Sequence, residues 1–244
     1  MRVVKDNLKK SVLKCLKQNK SLNQISRELN LNKTTVYYWY KKLGKSKITK
    51  INIKKDNENL IGEFIGIFAG DGNYYLDKDY HHSITIYIDS KDKKYISHVK
   101  QVILNLFSKN PNIINRKDDN TTYIRIRSKD AHLFIKNYLT WKNKKSSSIC
   151  LRNDIKHYSN EFLKGFICGL FDTDGFIDKD TSRAVFGTIS NSLVTNVEEV
   201  FSLFNIKYTK NVHIDKRGNR KPLSHINVSR KDIDKFFNLI NPIH

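Results

Sequence analysis

The chain contains two copies of one apolar segment with a repeated glycine pattern. Residues 57–72 read NENLIGEFIGIFAGDG, and residues 160–175 read NEFLKGFICGLFDTDG. When Asp71 is aligned with Asp174, the other shared positions are Glu58 with Glu161, Gly62 with Gly165, Gly66 with Gly169, and Gly72 with Gly175. Each copy is long enough for a helix, and glycines four residues apart fall on one helix face. The sequence therefore predicts two equivalent helices, each with a flat face.

The glycines also predict that these two helices pack directly against each other. A glycine inside a helix costs roughly 0.5–1 kcal/mol relative to alanine, so a helix that carries several must gain something from them. Close backbone contact is that gain, and the facing stripes are Gly62, Gly66 and Gly70 in the first copy and Gly165, Gly169 and Thr173 in the second. Such packing would bring Asp71 and Asp174 together at one end. A site with two close carboxylates is expected there.

The charge balance indicates a polyanionic partner. Lysine and arginine together number 45 against 24 acidic residues in 244, which gives a formal net charge of +21. A hydrophobic content of 39% is enough to bury a core, so a disordered basic tail is excluded. Nucleic acid is the partner that such a charge on a folded chain favours. On charge alone, a ribosomal or membrane-surface protein is the alternative.

The sequence lacks the features of secreted and membrane proteins, which favours a soluble, intracellular protein without a membrane partner. The cysteines, Cys15, Cys150 and Cys168, show neither zinc-ligand spacing nor a disulfide framework, which is typical of a reducing compartment. The lysine-rich N-terminal residues lack the apolar core of a signal peptide. No apolar stretch approaches the roughly 20 residues that a membrane span needs. We expect the protein in the cytoplasm or nucleoid of a prokaryote, or in an organelle.

Residues 1–43 are predicted to form a separate unit of three helices. Its core would come from apolar residues at helical spacing, namely Val4, Leu8, Val12, Leu16, Ile25, Leu29, Leu31, Val36 and Leu43. The segment resembles the helix-turn-helix of resolvase-like and regulator-like DNA-binding proteins, in which the third helix enters the major groove. The exposed candidates on that helix are Thr34, Thr35, Tyr37, Tyr38 and Lys41. A small helical unit without a DNA role is the alternative. Residues 44–56 are interpreted as a basic linker.

The repeat continues beyond the glycine-patterned helices. Each half is predicted as helix, strand, strand, helix, strand, strand, helix, with the halves at residues 57–141 and 160–244 and a polar linker at 142–159. TYIRIRSKD in the first half aligns with SHINVSRKD in the second. The same element order in both halves makes a chance resemblance of the two acidic helices improbable.

Alternation along the strands predicts which side chains face away from the helices. In the second strand of the first half, Ile84, Ile86 and Ile88 would turn to the core. The outward candidates for contact with DNA are Thr85, Tyr87, Asp89, Tyr123, Arg125 and Arg127, and in the second half Thr188, Asn211, His213, Asp215, His225, Asn227 and Ser229. Side chains of these types read base edges and bind phosphates. A sheet face that is merely solvated would also be polar, which is the alternative.

FIGIFAGDG at residues 64–72 and ICGLFDTDG at residues 167–175 resemble the two signature helices of a single-chain LAGLIDADG homing endonuclease. The resemblance covers residues 57–244. It implies an α+β fold in which two αββαββα halves pack through the signature helices, with saddle-shaped antiparallel sheets on the DNA major groove. It also implies a monomer, a long and nearly asymmetric double-stranded DNA target, cleavage of both strands, and a mobile intron or mobile gene as the source.

The same resemblance implies a metal site at the ends of the signature helices. The last acidic residue of each helix binds the metal, which here means Asp71 and Asp174, and we assign the preceding Gly70 and Thr173 to the same site. Phosphodiester hydrolysis needs charge neutralisation and an activated water, and Mg²⁺ bound by hard carboxylates supplies both. Mn²⁺ or Ca²⁺ would fit the same ligands. The alternative is that Asp-Gly only ends each helix, with glycine at the position after the cap.

A lysine near the cleavage site is a further feature that the resemblance implies. After the last helix of the first half, Lys142, Lys144 and Lys145 are available, and Lys145 before serine is the first choice as a catalytic residue. The second half ends at NLINPIH without a following lysine, so at most one half supplies this group. A basic linker that contacts phosphate nonspecifically is the alternative. Ser90 and Asn191 are candidates for contacts with metal-bound water by position only.

Three functions are compatible with these features. The leading hypothesis is a metal-dependent, sequence-specific DNA endonuclease. The first alternative is a noncatalytic transcription regulator on the same scaffold, but such proteins typically lose the acidic residues that this chain keeps. The second alternative is an intron RNA maturase, which shares the scaffold and the charge.

Overall fold

The computed structural model describes residues 2–18, 20–42, 51–78, 81–116, 118–178, 182–215, 221–240 and 243. The chain divides into two compact units, Met1–Lys50 and Ile51–His244. None of the helices in the described part of the chain has the length and apolar character that crossing a lipid bilayer requires.

The described part of the first unit contains three helices around a small apolar core. They are α1 (Arg2–Lys17), α2 (Leu22–Glu28) and α3 (Lys33–Lys42). The buried residues are Val12, Cys15, Leu16, Leu22, Ile25 and Val36. Ser21 begins α2 with a capping box shared with Gln24, and Asn30 turns the chain toward α3 at φ 47°. Leu43 lies outside the described residues, and the side chain of Val4 is not described.

The first half of the larger unit has the predicted αββαββα order. Its elements are α4 (Glu58–Asp71), β1 (Gly72–Leu76), β2 (His82–Asp89), α5 (Lys93–Phe107), β3 (Asn112–Arg116), β4 (Thr121–Arg127) and α6 (Lys129–Tyr138). The strands form an antiparallel sheet in the order β1-β2-β4-β3. Ile51 and Ile53 pack against the core of this unit, and the Lys54 amide donates to the Leu106 carbonyl.

The second half repeats the same order after a structured connection. That connection contains the two-residue strands β5 (Leu139–Thr140) and β6 (Cys150–Leu151) and two 3-10 turns, with Ile149 and Ile155 buried. The half itself comprises α7 (Asn160–Asp174), β7 (Gly175–Asp178), β8 (Arg183–Thr188), α8 (Asn191–Leu203), β9 (Tyr208–His213), β10 (Leu223–Val228) and α9 (Ile233–Ile240). Its sheet has the order β7-β8-β10-β9, which matches the first half. The predicted α+β fold class is therefore confirmed.

The two glycine-patterned helices, α4 and α7, pack backbone against backbone. A Cβ atom built on Gly62 would lie 2.0 Å from the Phe162 carbonyl oxygen, and one on Gly165 would lie 2.0 Å from the Asn59 carbonyl oxygen. Carbonyl oxygens also lie 2.2 Å from the corresponding positions of Gly66 and Gly169. No side chain fits at such separations, so these glycines are required by the helix contact. The predicted contact between the glycine faces is confirmed.

Candidate active site

The two aspartates end the paired helices side by side. Asp71 is the last residue of α4 and Asp174 the last residue of α7. A Cβ atom on Gly70 would lie 2.1 Å from Thr173 Oγ1 and 3.2 Å from Asp174 Oδ2. The Asp174 carboxylate therefore lies against α4 one residue before Asp71. Gly70 and Thr173, which the sequence assigned to the same site, form the contact directly beneath the two carboxylates.

The protein surroundings disfavour the charged form of both carboxylates. Burial, followed by repulsion from Asp174, raises the pKa of Asp71 from 3.8 to about 7, although Lys145 acts in the opposite direction. Loss of hydration also raises the pKa of Asp174, again against the effect of Lys145. Two repelling carboxylates in a poorly hydrated position form a site that a cation would stabilise.

This pair predicts a measurable cost to stability. An acid with a raised pKa in the folded state loses stability as pH rises from its unfolded pKa through its folded pKa, here from 3.8 to about 7. Without divalent ions, we expect Asp71→Asn to raise the free energy of unfolding by at least about 1 kcal/mol at pH 8, and the gain to vanish near pH 4. Urea unfolding of both proteins in chelator at a series of pH values tests this. A gain that does not change with pH would contradict it, and exposed Asp130→Asn is the matched control.

Lys145 lies at the same helix end as the two aspartates. Its Nζ atom donates to the carbonyl oxygens of Phe68, Ala69 and Gly70, each at 2.8 Å. The last carbonyls of a helix have no partner within the helix, so this ammonium group caps α4. Burial lowers the pKa of Lys145 to about 8, while Asp174 and Asp71 oppose that shift. The other two candidate lysines, Lys142 and Lys144, are exposed.

The short segment around Lys145 is held by a serine. Ser148 Oγ donates to the carbonyl oxygens of Lys142 and Lys144, at 2.6 and 2.9 Å, and accepts from the Lys142 amide. The next residue, Ile149, is buried in the core. These contacts fix the backbone from which Lys145 extends.

An open groove of about 460 Å³ begins at Asp71. Its lining is acidic and aromatic: Asp71, Tyr87, Asp89, Asp92, Tyr95, Asp119, Thr121, Asp172 and Thr173 belong to it. Sequence reasoning missed Asp92, which caps α5 through the Tyr95 amide, and Asp119, which accepts from the Thr121 amide. Both hydrogen bonds are local, and nothing in the repeat pattern singled out these two residues.

The two residues predicted to contact metal-bound water have other neighbours. Ser90 Oγ lies 2.9 Å from Thr122 Oγ1, and the Ser90 amide donates to the Asn120 carbonyl oxygen. Asn191 is exposed at the first position of α8, where its carbonyl accepts from the Thr195 hydroxyl. Neither is among the residues that line the groove.

The outward face of the first sheet carries the predicted polar side chains in cross-strand pairs. The antiparallel register pairs Thr85 with Arg125, Tyr87 with Tyr123, Ser83 with Arg127, and Asp89 with Thr121. The rings of Tyr87 and Tyr123 meet edge to face at 4.7 Å. Thr85 is only 5% exposed because Arg125 covers it and donates to its hydroxyl at 3.2 Å. Thr85 is thus a support for Arg125 and is not itself accessible to DNA.

The second sheet presents a less basic outward ladder. Its register pairs His225 with Asn211, Asn227 with Thr209, and Leu223 with His213. The prediction for Thr188 needs correction, because Thr188 shares the inward face of β8 with Phe186 and is 8% exposed. Its hydroxyl accepts from the Ser190 amide instead of facing DNA.

Several predictions at the ends of these strands also need correction. Asp215 follows the end of β9, and Ser229 follows the end of β10 at the start of a 3-10 turn, so neither belongs to the strand ladder. Val212 and Ile214, the apolar residues that alternate with Asn211, His213 and Asp215, are 54% and 68% exposed. β9 lies at the edge of the sheet, and every residue from Thr209 to Ile214 is exposed.

In the smaller unit, most side chains proposed for DNA contact are accessible. Tyr37 and Tyr38 of α3 are 39% and 53% exposed, and Thr34 and Lys41 are exposed as well. Thr35 is half-buried. The Lys41 ammonium lies 5.4 Å from the centre of the Tyr37 ring, which is within the range of a cation–π contact.

Residues 58–139 and 161–241 each match the family model of the LAGLIDADG-like domain. The chain belongs to the LAGLIDADG-like domain family. The two matched segments coincide with the two αββαββα halves and include Asp71 and Asp174. A comparison with curated proteins found no match.

Several solved structures of other proteins have a similar fold. The homing endonuclease I-DmoI in complex with DNA and Ca gives a TM-score of 0.58 at 19% identity, over 76% of this chain and 91% of that chain. The homing endonuclease I-WcaI bound to its DNA recognition sequence gives 0.50 at 17% identity, over 84% and 87%. Full-length DUF199/WhiA from Thermatoga maritima gives 0.54 at 17% identity, over 78% of this chain and 57% of that chain. At these identities the likeness establishes the shared fold.

Proposed function

We propose that this LAGLIDADG protein is a sequence-specific DNA endonuclease that cuts both strands of a duplex. The observation that carries the proposal is the meeting of Asp71 and Asp174 at adjoining helix ends, with the Lys145 ammonium beside them. A protein that only binds DNA has no need for two repelling carboxylates in a net charge of +21. The DNA complexes of I-DmoI and I-WcaI support a nucleic-acid partner for the same fold.

The donor set at the paired helix ends fits a hard divalent cation. Asp71 and Asp174 offer carboxylate oxygens, the ligands that Mg²⁺, Mn²⁺ and Ca²⁺ prefer. Burial raises the pKa of both aspartates, and repulsion from Asp174 adds to the shift at Asp71, so a bound cation would favour the charged form of both carboxylates. I-DmoI has been solved with DNA in the presence of Ca, Mn and Mg. We infer that Mg²⁺ is the natural ion, bound by the two aspartates with Gly70 and Thr173 beneath them.

The side chains suggest a division of roles in hydrolysis. When bound, the ion would neutralise charge on the phosphate oxygens and lower the pKa of a bound water. Asp71 and Asp174 hold their charges close together at one end of the helix pair, which sets where the scissile phosphates must lie. Lys145, with a pKa near 8, is close to the point where it can hold or release a proton at neutral pH. Its charge would also stabilise the leaving oxygen.

The two sheets suggest an asymmetric target. One outward face presents Arg125, Arg127 and paired tyrosines, and the other presents His225, Asn211 and Asn227. Arginine pairs well with guanine in the major groove, whereas asparagine pairs with adenine, so the two halves would prefer different bases. We therefore propose a monomer that reads a long, nearly asymmetric DNA site.

The alternatives make different demands on the site. A noncatalytic transcription regulator on this scaffold would not need both aspartates, and an intron maturase would act on RNA. We propose a mobile intron or a mobile gene as the source of the endonuclease. We also propose an intracellular location, because the DNA substrate is inside the cell.

Incubation of the full chain with Mg²⁺ and a randomised duplex library, followed by sequencing of the ends, tests the proposal. We expect a single enriched sequence cut on both strands. The resemblance to LAGLIDADG homing endonucleases implies cleavage across the minor groove, which would leave short 3′ overhangs. Enrichment of bound but uncut duplex, with Mg²⁺ present, would favour the regulator and contradict the endonuclease.

Removing the Lys145 charge should slow cleavage strongly. We expect Lys145→Met to lower the single-turnover cleavage rate by about a hundredfold or more, which is the usual size of a proton-transfer contribution. Exposed Lys144→Met changes the same charge one residue away and should cut at close to the wild-type rate. Equal rates for the two variants would remove Lys145 from the reaction. Binding measured in parallel separates a loss of chemistry from a loss of affinity.

The three-helix unit is proposed to extend the DNA contact through Thr34, Tyr37, Tyr38 and Lys41 of α3. Deletion of residues 1–43 should weaken binding and shorten the footprint on the selected target, because phosphate contacts from this unit are lost. Hydroxyl-radical footprinting compares the two proteins directly. An unchanged footprint would mean that this unit does not contact the DNA.

A further inference from the structure

A second group of metal-ligating side chains lies inside the contact between the signature helices. Glu63 comes from α4, and Cys168 and Asp172 come from α7. One donor atom from each of the three residues lies within 4.8 Å of the other two. Cys168 is 8% exposed, Asp172 is 6% exposed, and the Glu63 side chain is 12% exposed. The endonuclease mechanism proposed above uses none of these groups.

Neighbouring groups hold all three donors in position. Cys168 Sγ donates to Asp172 Oδ2 at 3.6 Å, and the Ile243 amide donates to Asp172 Oδ1 at 3.1 Å. His98 Nε2 from α5 contacts Glu63 Oε1 in a short hydrogen bond. Carboxylates that ligate metals are themselves commonly hydrogen-bonded by an outer residue, which is the role that His98 would have here. The three donor side chains are therefore held in position by the folded helices and their neighbours.

Glu63 and Asp172 bring two carboxylates into this cluster. Two carboxylates held close together in a poorly hydrated interior repel each other. A divalent ion bound between them would offset that repulsion. Burial, followed by repulsion from Asp172, raises the pKa of the Cys168 thiol, so formation of its thiolate depends on the bound ion.

The mixture of donor types selects the metal. A thiolate favours a soft or borderline ion, while carboxylates exclude the softest ions, and Zn²⁺ accepts both. We propose that Glu63, Cys168 and Asp172 bind one Zn²⁺ ion that joins the two signature helices. His98 is a positioning residue that orients Glu63. Binding breaks the S–H bond of Cys168, the sulfur keeps the electron pair and ligates the ion, and the proton goes to solvent.

The donors of this zinc site differ from the aspartate pair, although Asp172 lies only two residues before Asp174. Glu63 precedes Asp71 by eight residues on the same helix, which corresponds to about 12 Å along the helix axis. Asp172 also lines the open groove, so an ion has a route inward from solvent. Because the ligands come from both helices, bound zinc would stabilise the folded state that brings them together.

Zinc content after loading and desalting tests the proposal. The full chain is incubated with ZnCl₂, passed through a desalting column with a weak chelator, and analysed by mass spectrometry of the metal. Wild type, Cys150→Ser and Asp174→Asn should each retain about one zinc per chain, held by three protein ligands with water at the fourth position. Cys168→Ser and Asp172→Asn should lose most of it. Loss in Asp174→Asn alone would mean that zinc sits at the aspartate pair, and would overturn the proposal.

A spectroscopic measurement on the wild-type protein tests the zinc site even if some variants fail to fold. Co²⁺ in place of Zn²⁺ should give a thiolate-to-cobalt charge-transfer band that is present in wild type and Cys150→Ser and absent in Cys168→Ser. Zn²⁺ should also slow alkylation of Cys168 in wild type by about tenfold or more, while Cys150 reacts at an unchanged rate. A wild-type chain that retains no zinc and shows no such protection would overturn the proposal, whatever its cleavage activity.

Discussion

Replacing either Asp71 or Asp174 by asparagine is expected to abolish double-strand cleavage. Each carboxylate is one of the two anionic donors at the paired helix ends, and asparagine keeps the shape while it removes the charge that a divalent ion needs. Loss of one such ligand removes several kcal/mol of transition-state stabilisation, so the cleavage rate should fall by at least about a thousandfold. Cleavage of the selected target by each variant under single-turnover conditions measures this.

DNA binding by the same two variants should remain within about tenfold of wild type, because affinity comes mainly from lysine and arginine contacts with phosphate. The control is Asp130→Asn, which removes an exposed carboxylate on α6 and should cut normally. If either active-site variant cuts at the rate of Asp130→Asn, that aspartate does not belong to the site. If binding is lost with cleavage, the substitution has disturbed the fold instead of the chemistry.

Adding one methyl group at Gly62 should destabilise the fold more than any surface change. On an isolated helix, alanine would gain roughly 0.5–1 kcal/mol over glycine. At this position, however, the new Cβ would lie 2.0 Å from the backbone oxygen of Phe162, which cannot rotate away. The two helices must separate, and we expect Gly62→Ala to lower the free energy of unfolding by about 3 kcal/mol.

The matched control is glycine to alanine at a position where the neighbour can move. At Gly187 the nearest atom to a new Cβ is Cδ2 of the His225 ring, at 3.1 Å, and a side chain can adjust by a few tenths of an ångström. Gly187→Ala should therefore change the free energy of unfolding by about 1 kcal/mol or less. Denaturant unfolding of both variants gives the comparison. Equal stability of the two would mean that α4 and α7 do not pack as closely as described.

The order of helices and strands in the larger unit was predictable from the sequence because both halves show the same order. One strand pattern alone is ambiguous, but TYIRIRSKD and SHINVSRKD follow corresponding helices in the two halves. The glycine spacing predicted which faces of α4 and α7 meet, since only close backbone contact offsets the cost of repeated glycine. Lys145 was predicted from its position after α6, but its three carbonyl partners depend on how the connecting segment folds back.

The sequence predictions were wrong where periodicity does not tell how deeply a side chain is buried or which face of the strand a given residue occupies. Thr188 was assigned to the outward face, and because side chains alternate, a shift of one residue in strand phase reverses the face. Thr85 lies on the predicted outward face of the strand, but Arg125 covers it. The alternation of apolar and polar residues does not give the direction of a long side chain such as that of Arg125. Val212 alternates correctly, yet it lies on an edge strand without a covering helix.

The Glu63, Cys168 and Asp172 cluster was not predictable from spacing. Its members come from both copies of the repeat, at positions that do not correspond to each other, and they meet only because α4 and α7 pack so closely. Cys168 alone looks like a small packing residue within an apolar helix. A search for metal-ligand spacing within one segment cannot find such a group.

The most direct measurement is the position of Mn²⁺ in crystals of the protein with its selected DNA target, located by anomalous scattering. The proposed site predicts strong density between the Asp71 and Asp174 carboxylates, at the metal–oxygen distances of about 2.0–2.2 Å expected for ions close to Mg²⁺ in size. Density bound to neither carboxylate, or carboxylates too far apart to share bound ions, would contradict a nuclease centre at the meeting point of the two signature helices.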